Sequence, residues 1–185
     1  KLSELQRNLL ISHACGVGDD VPEQIVKAML LLKVKALSKG HSGIQLQTIQ
    51  RLMDHLNGRV FPVIPSQGSL GASGDLAPLA HMVLPLIGEG EVTVDGVAVP
   101  SADVLAAKGW SPLKLGAKEG LALINGTQLM LGYGVMAIKR MESIAHWADA
   151  LCAWSLEAWM GRPEPFEACI HKVRNQAGAE MVASN

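Results

Sequence analysis

The run Gly68-Ser-Leu-Gly-Ala-Ser-Gly-Asp-Leu-Ala-Pro-Leu79 sets an Ala-Ser-Gly triplet in a glycine-rich loop that ends at a helix start. Ordinary side chains supply acids, bases and nucleophiles, and none is a good electrophile. A backbone that folds back at Ala72-Ser73-Gly74 can make one. The amide nitrogen of Gly74 attacks the carbonyl carbon of Ala72 and closes a five-membered ring with loss of water. Gly74 has no Cβ to hinder the approach and adopts unusual backbone angles cheaply, and Ala72 crowds the ring little. Ser73 then loses water across Cα–Cβ and becomes an exocyclic methylidene. The product, a methylidene-imidazolone, is an electrophile carried by the chain itself. Gly68 and Gly71 permit the bend. Asp75 either hydrogen-bonds within the loop to hold the ring-closing geometry or caps the next helix.

Two other glycine-loop chemistries do not fit. A phosphate loop ends in Gly-Lys-Ser/Thr, whereas Asp75 follows Gly74 and repels phosphate. A nucleophile elbow needs Gly-x-Ser-x-Gly, and Ser73 has Asp75 where the second glycine belongs. The histidines show no ligand spacing such as His-x-x-x-His, so no metal is expected.

The elements that position these residues are mainly helical. A first helix is predicted from an N-cap at Ser3 to about Ala14, and Gly16–Asp20 reads as a loop. A second helix has Pro22 near its first turn and runs to about Lys39. A third starts at Ser42 and ends at Asn57-Gly58, residues that tolerate the left-handed conformation. Residues 59–74 read as a loop. The helix after Asp75 ends near Gly88, and its N-terminus points free N–H groups toward the loop. Glu91–Val99 alternates around Asp95-Gly96, a two-residue hairpin signal. Ser101 caps a short helix to Lys108. A long helix spans about Thr127 to Met160, closed by Gly161. Charges interrupt its apolar run, so it reads as a buried bundle helix rather than a membrane span. Tyr133, Met136, Met141 and its tryptophans are expected in the core.

The triplet run extends through Ala80-His81-Met82 and resembles the aromatic amino acid ammonia-lyase family. Two further segments agree. Lys118-Glu-Gly-Leu-Ala-Leu-Ile-Asn-Gly-Thr-Gln128 is similar to the segment whose Asn contacts the electrophile and helps orient the substrate; here that residue is Asn125, whose simpler reading is an N-cap with Thr127. Leu5-Gln-Arg-Asn-Leu9 with Ser12-His13-Ala-Cys-Gly16 resembles the segment that lines the aromatic pocket. Members acting on histidine tend to carry Ser-His there, and members acting on phenylalanine an aromatic ring in place of this His. The resemblance implies that Ser12 and His13 bind the substrate ring and that His13 can move protons. A lone helical His is otherwise a satisfied core residue. Gln45 stands where relatives often carry Arg, and Gln67 where several carry a basic residue.

The resemblance covers essentially the whole chain. It implies the electrophile-bearing part of a mainly α fold, a helical bundle with a long central helix and one small β-hairpin. Residues 1–185 are then a single domain of a longer chain, lacking the segment with the Tyr base and the C-terminal helical part. It also implies a homotetramer with active sites shared between chains, and no external cofactor. The expected reaction of the full chain removes ammonia from L-histidine to give urocanate, while the 185 residues alone are expected to be inactive. The alternatives are action on tyrosine or phenylalanine, a related aminomutase, or a non-catalytic helical assembly domain with unmodified Ala-Ser-Gly.

The bulk properties agree. A net charge of -1 with no basic stripe excludes nucleic acid as a partner. A hydrophobic share of 49% against 18% charged residues predicts apolar surface that another chain or segment covers. Cys15, Cys152 and Cys169 are odd in number and widely spaced, which favours free thiols in a reducing compartment, the cytoplasm.

Overall fold

The computed structural model describes residues 2–185. It is mainly helical, with the elements α1 (Leu2–His13), β1 (Val17–Asp20), α2 (Glu23–Leu37), α3 (Leu46–Asn57), β2 (Phe61–Pro62), β3 (Pro65–Gln67), α4 (Leu76–Val83), β4 (Glu91–Val94), β5 (Val97–Pro100), α5 (Ser101–Ala107), α6 (Glu119–Ile124), α7 (Gln128–Ala158), α8 (Ala168–Arg174) and α9 (Ala177–Ser184). Contacts gather into two compact units, one ending at Val135 and one from Met136 to Asn185.

The first unit owns a closed core. Helix α2 turns Ile25, Met29, Lys33 and Leu37 inward at a strict spacing of four, the stripe of a helix packed on one side. It packs on α3, whose inward residues are Thr48, Ile49, Leu52 and His55. Helix α4 is apolar on nearly every face and buried accordingly, with Leu79, Ala80, Met82 and Val83 fully covered. It lies against both α1 and α6, the two helices that lead to the candidate residues His13 and Asn125. Gly88 ends the 3-10 turn after α4 in the left-handed region, as expected.

Two small antiparallel sheets complete this unit, β1–β3 and β2–β4–β5. The hairpin forms as expected: Asp95 and Gly96 take φ of 48° and 85°, the left-handed pair of a type I′ turn.

Several expectations need correction. Ser3 lies inside α1 rather than capping it. Residues 17–20 are a strand paired with β3, so neither Gly16–Asp20 nor residues 59–74 are wholly loop. Helix α3 starts at Leu46 after Gln45, not at Ser42. Its C-cap Gly58 stays right-handed, and Arg59 carries the positive φ of 54°. Ser101 sits within α5 and donates its hydroxyl to the carbonyls of Glu89 and Gly90. At the end of α7 the left-handed residue is Met160, with φ 49°, while the Gly161 N–H returns to Leu156 O at 2.7 Å in a Schellman-type closure. Short α6 was not foreseen, because six residues are too few for a periodic signal.

The largest difference concerns burial of α7. Only Gln128, Leu129 and Gly132 of its 31 residues are buried. Tyr133, Met141, Trp147 and Trp154 are exposed, contrary to the expected core positions. No helix among the described residues is long and apolar enough to cross a membrane. In the second unit, α7 continues to Ala158 and α8 packs on α9.

Candidate active site

The triplet lies where three elements of the first unit meet. Gly74 forms a parallel bridge with Gly126, and the Asp75 N–H donates to Gly126 O at 2.7 Å. Gly74 has φ 90°, and a Cβ there would run into the Gly126 carbonyl oxygen. Only glycine fits, on both steric and conformational grounds. Gly68 is confined from the other side, since a Cβ on it would press on the Gly16 backbone at 3.0 Å. The loop is thus clamped between the end of the α1–β1 connection and the α6–α7 connection.

Asp75 is buried, with 3% of its surface exposed. It occupies the N-cap position of α4 but makes no side-chain cap bond to that helix. Its Oδ2 instead accepts from the N–H groups of Leu129 and Met130, at 2.9 and 3.1 Å. Those donors belong to the first turn of α7, where a carboxylate complements the helix dipole. Its Oδ1 accepts from Ser69 Oγ at 3.2 Å. One carboxylate therefore ties the glycine loop to the start of the long helix.

A cavity of about 300 Å³ opens over the loop, bordered by Ser12, His13, Ala72, Ser73, Gly74 and Leu76 among others. The sequence-selected residues of α1 and of the triplet thus face one space. Ala72 and Ser73 are exposed to it and His13 is half-buried. His13 Nδ1 lies 2.8 Å from Leu9 O. That carbonyl can only accept, so Nδ1 carries a proton and Nε2 is the nitrogen this bond leaves free. Ser12 Oγ donates to the same carbonyl at 3.0 Å and lies 3.2 Å from His13 Nδ1. The pair fixes ring orientation and tautomer.

Asn125 does not border the cavity; its neighbour Gly126 bridges Gly74, which does. It is the C-cap of α6 rather than an N-cap of α7, with extended backbone (φ −82°, ψ 126°) and an exposed side chain. Its N–H donates to Leu121 O at 3.0 Å, and its carbonyl accepts from Lys33 Nζ at 2.7 Å. Glu119, at the start of α6, is buried and accepts from the N–H groups of Gln45 and Gly116 and from Thr48 Oγ1. Gln45 thus supports α6 through its backbone.

Lys33 was missed in the sequence, and His81 reads there only as a packing residue that follows the triplet. Burial lowers the Lys33 pKa to about 8. Its signal was legible, since it is the polar member of the inward series 25, 29, 33 and 37. His81 accepts the Gly16 N–H on Nε2 at 3.0 Å, and burial lowers its pKa. No sequence signal separates that role from simple packing. Among the described residues no cluster of His, Cys, Asp and Glu could hold a metal ion.

The whole of residues 1–185 matches the family profile described as aromatic amino acid lyase. Histidine ammonia-lyase of Geobacillus sp. (strain WCH70) is 51% identical over 183 residues, covering 99% of this chain and 36% of the relative. The crystal structure of histidine ammonia-lyase from Trypanosoma cruzi superposes with a TM-score of 0.93 at 41% identity, covering 98% of this chain and 36% of that one. Tyrosine aminomutase from Streptomyces globisporus superposes with a TM-score of 0.93 at 43% identity, over 100% of this chain and 35% of that one. The chain therefore spans about a third of the length of the relatives it matches. By its motifs, its fold and these matches, the chain belongs to the aromatic amino acid lyase family.

Proposed function

We propose that the full-length protein of which residues 1–185 form one domain eliminates ammonia from L-histidine to give urocanate, at an electrophile made from Ala72-Ser73-Gly74. The observation that carries this reading is the single cavity onto which Ser12-His13 and the triplet both open. The loop fits the ring: Gly74 is held at a φ of 90° in a cradle that a Cβ would fill, while Ala72 and Ser73 face open space. When formed, the methylidene-imidazolone would supply the acceptor for the substrate's amine. The chain's own residues bind and orient. His13 offers Nε2 to the N–H of an imidazole, with Ser12 beside it, and can exchange a proton there. The Asn125 amide can donate to a carboxylate and accept from an amine. Gly71 permits the bend of the loop, and Asp75 anchors it to α7. No external cofactor and no metal are part of this reading.

The β-proton base and the rest of the pocket would come from outside these residues, so the isolated chain is expected to be inactive. The exposed apolar face of α7 supports a homotetramer with shared sites. Cys15, Cys152 and Cys169 are free thiols, which supports a reducing compartment, the cytoplasm, and a role in histidine catabolism there.

A second reading is action on tyrosine as a lyase or aminomutase, favoured by the solved tyrosine aminomutase at 43% identity. The deciding assay offers the full-length protein L-histidine, L-tyrosine and L-phenylalanine and follows the ultraviolet absorbance of the conjugated acids. Turnover of tyrosine or phenylalanine without histidine would sink the substrate assignment. Intact mass tests the electrophile: ring closure and dehydration remove two waters, about 36 Da. An undiminished mass would favour a non-catalytic assembly domain.

A further inference from the structure

Lys33 is an anomaly that the family chemistry leaves unused. It occupies the apolar stripe of α2, and only 1% of its surface is exposed. Burying an ammonium among apolar side chains is costly unless it is well paired. Among the described residues its hydrogen-bond partner is one main-chain oxygen, Asn125 O at 2.7 Å. No carboxylate is paired with it among those residues. A methionine at this position would complete the apolar stripe, so the amine is not there for packing.

The acceptor explains the placement. Asn125 O is the C-cap carbonyl of α6, at the negative end of that helix, where a cation is favourable. The same residue's N–H is held by Leu121 O. The Asn125 backbone is thus fixed at both ends. The next peptide carries Gly126 O, which accepts from the Asp75 N–H and closes over the Gly74 position. From Lys33 Nζ the chain of contacts runs through two peptides to the Gly74–Asp75 peptide, one residue beyond the nitrogen that must attack Ala72.

We infer that Lys33 is a positioning residue: it holds the Asn125–Gly126 segment against Gly74, so that the triplet is pressed into the ring-closing geometry and the Asn125 side chain is aimed at the substrate. This rests on the proposed electrophile. Lys33 itself does not line the cavity, and its hydrogen bond goes to Asn125 O rather than to the triplet.

The test uses the full-length protein and two variants, Lys33→Met and Lys33→Arg, read by intact mass, thermal unfolding and steady-state kinetics on L-histidine. Met removes the donor but keeps the bulk, and replacing a buried charge by an apolar isostere is often neutral or stabilising. The expected result is a separation of effects. Lys33→Met unfolds at or above the wild-type temperature, yet its rate of electrophile formation falls roughly tenfold or more, the loss expected for a hydrogen bond to a charged group. In the matured fraction kcat falls more than KM rises. Lys33→Arg, which keeps a charged donor, restores much of the mass deficit. A folded Lys33→Met that matures and turns over like wild type overturns the inference. Should Lys33→Met fail to fold, Lys33→Arg decides: a retained deficit upholds the role, and a folded Arg variant without it overturns it. An undiminished mass in the wild type would instead overturn the electrophile itself, which separates the two failures.

Discussion

The unit ending at Val135 and the helical segment from Met136 onward share a composition rich in apolar residues but use it in opposite ways. In the first, Leu10, Met29, Leu52, Leu79 and Met82 are fully covered. In the second, Ile144, Trp147, Leu151 and Trp154 are each more than half exposed, at 67%, 60%, 53% and 63%. Their spacing of three and four is that of a helix-packing seam. Trp147 and Trp154 meet edge to face with ring centres 6.4 Å apart, so the seam is partly self-packed. The glycine loop, His13 and Asn125 all lie in the unit that closes its own core. The part that carries the Ala-Ser-Gly triplet is supported from within the chain, while the long helix keeps an apolar seam exposed.

The sharpest break of this contrast is Ser73→Ala. It removes the hydroxyl whose loss would create the proposed methylidene, on an exposed residue. Activity of the full-length protein is expected to fall by about a thousandfold or more, as for loss of a covalent catalyst. Thermal stability should be unchanged, because Ala72 and Ser73 are exposed to the cavity. Intact mass and kcat measured together check this. Retained turnover would remove the triplet from the chemistry.

Next in size is a pair of truncations in the 185-residue chain. Leu79→Ala, at a position with no exposure, should cost about 2–5 kcal/mol by denaturant unfolding. Ile144→Ala, at 67% exposure, should stay within about 0.5 kcal/mol. In the full-length protein the Ile144 cost should rise toward the Leu79 value as the seam becomes covered. Equal costs already in the 185-residue chain would erase the distinction between the two regions.

The core of the first unit also has an acid weakness that the exposed helix lacks. His55 has a pKa lowered to about 4, first by burial; the hydrogen bond to Val60 O opposes this, while Arg51 and Lys108 add to it and Asp54 opposes it. Its Nδ1 lies 3.2 Å from Val60 O, its Nε2 is buried without a partner among the described residues, and Trp110 packs on the ring. The folded value lies below the unfolded one, so the unfolded chain binds the proton first as pH falls. Stability is full above about 6.5 and declines down to about 4, by up to about 3 kcal/mol. Unfolding followed between those limits checks the slope, and His55→Phe should flatten it. His81 adds to the same limb in the same direction, since protonation removes the acceptor for the Gly16 N–H.

What could be read from the sequence follows the same division. The triplet loop, the hairpin at Asp95-Gly96 and the span of α7 rest on local signals: special backbone angles, turn pairs and long periodicity. The cap at Ser101 was misread because its hydroxyl has tertiary partners, the carbonyls of Glu89 and Gly90; Ser3 falls inside α1 and Ser42 four residues before α3. Asp75 could be placed at the head of α4, but its bonds to Leu129 and Met130 cross more than fifty residues and leave no local trace. The exposure of α7 was misjudged for a related reason. An apolar seam looks the same in sequence whether its partner lies in the same chain or beyond it.

The smallest of these effects bears on how far the self-supporting unit chooses its substrate. His13 reaches the cavity from α1 with its tautomer fixed by Leu9 O, while its other nitrogen is left for a ligand. His13→Ala should leave folding and the mass deficit intact, because the ring is half-buried and the triplet is clamped by Gly126 and Asp75 instead. It should lower kcat/KM for L-histidine by about 10- to 100-fold, the cost of one lost hydrogen bond to a buried polar ring. The loss should be far smaller for an amino acid whose ring offers no N–H. An equal loss on both substrates would make His13 a general pocket wall, and specificity would then have to come from residues other than His13.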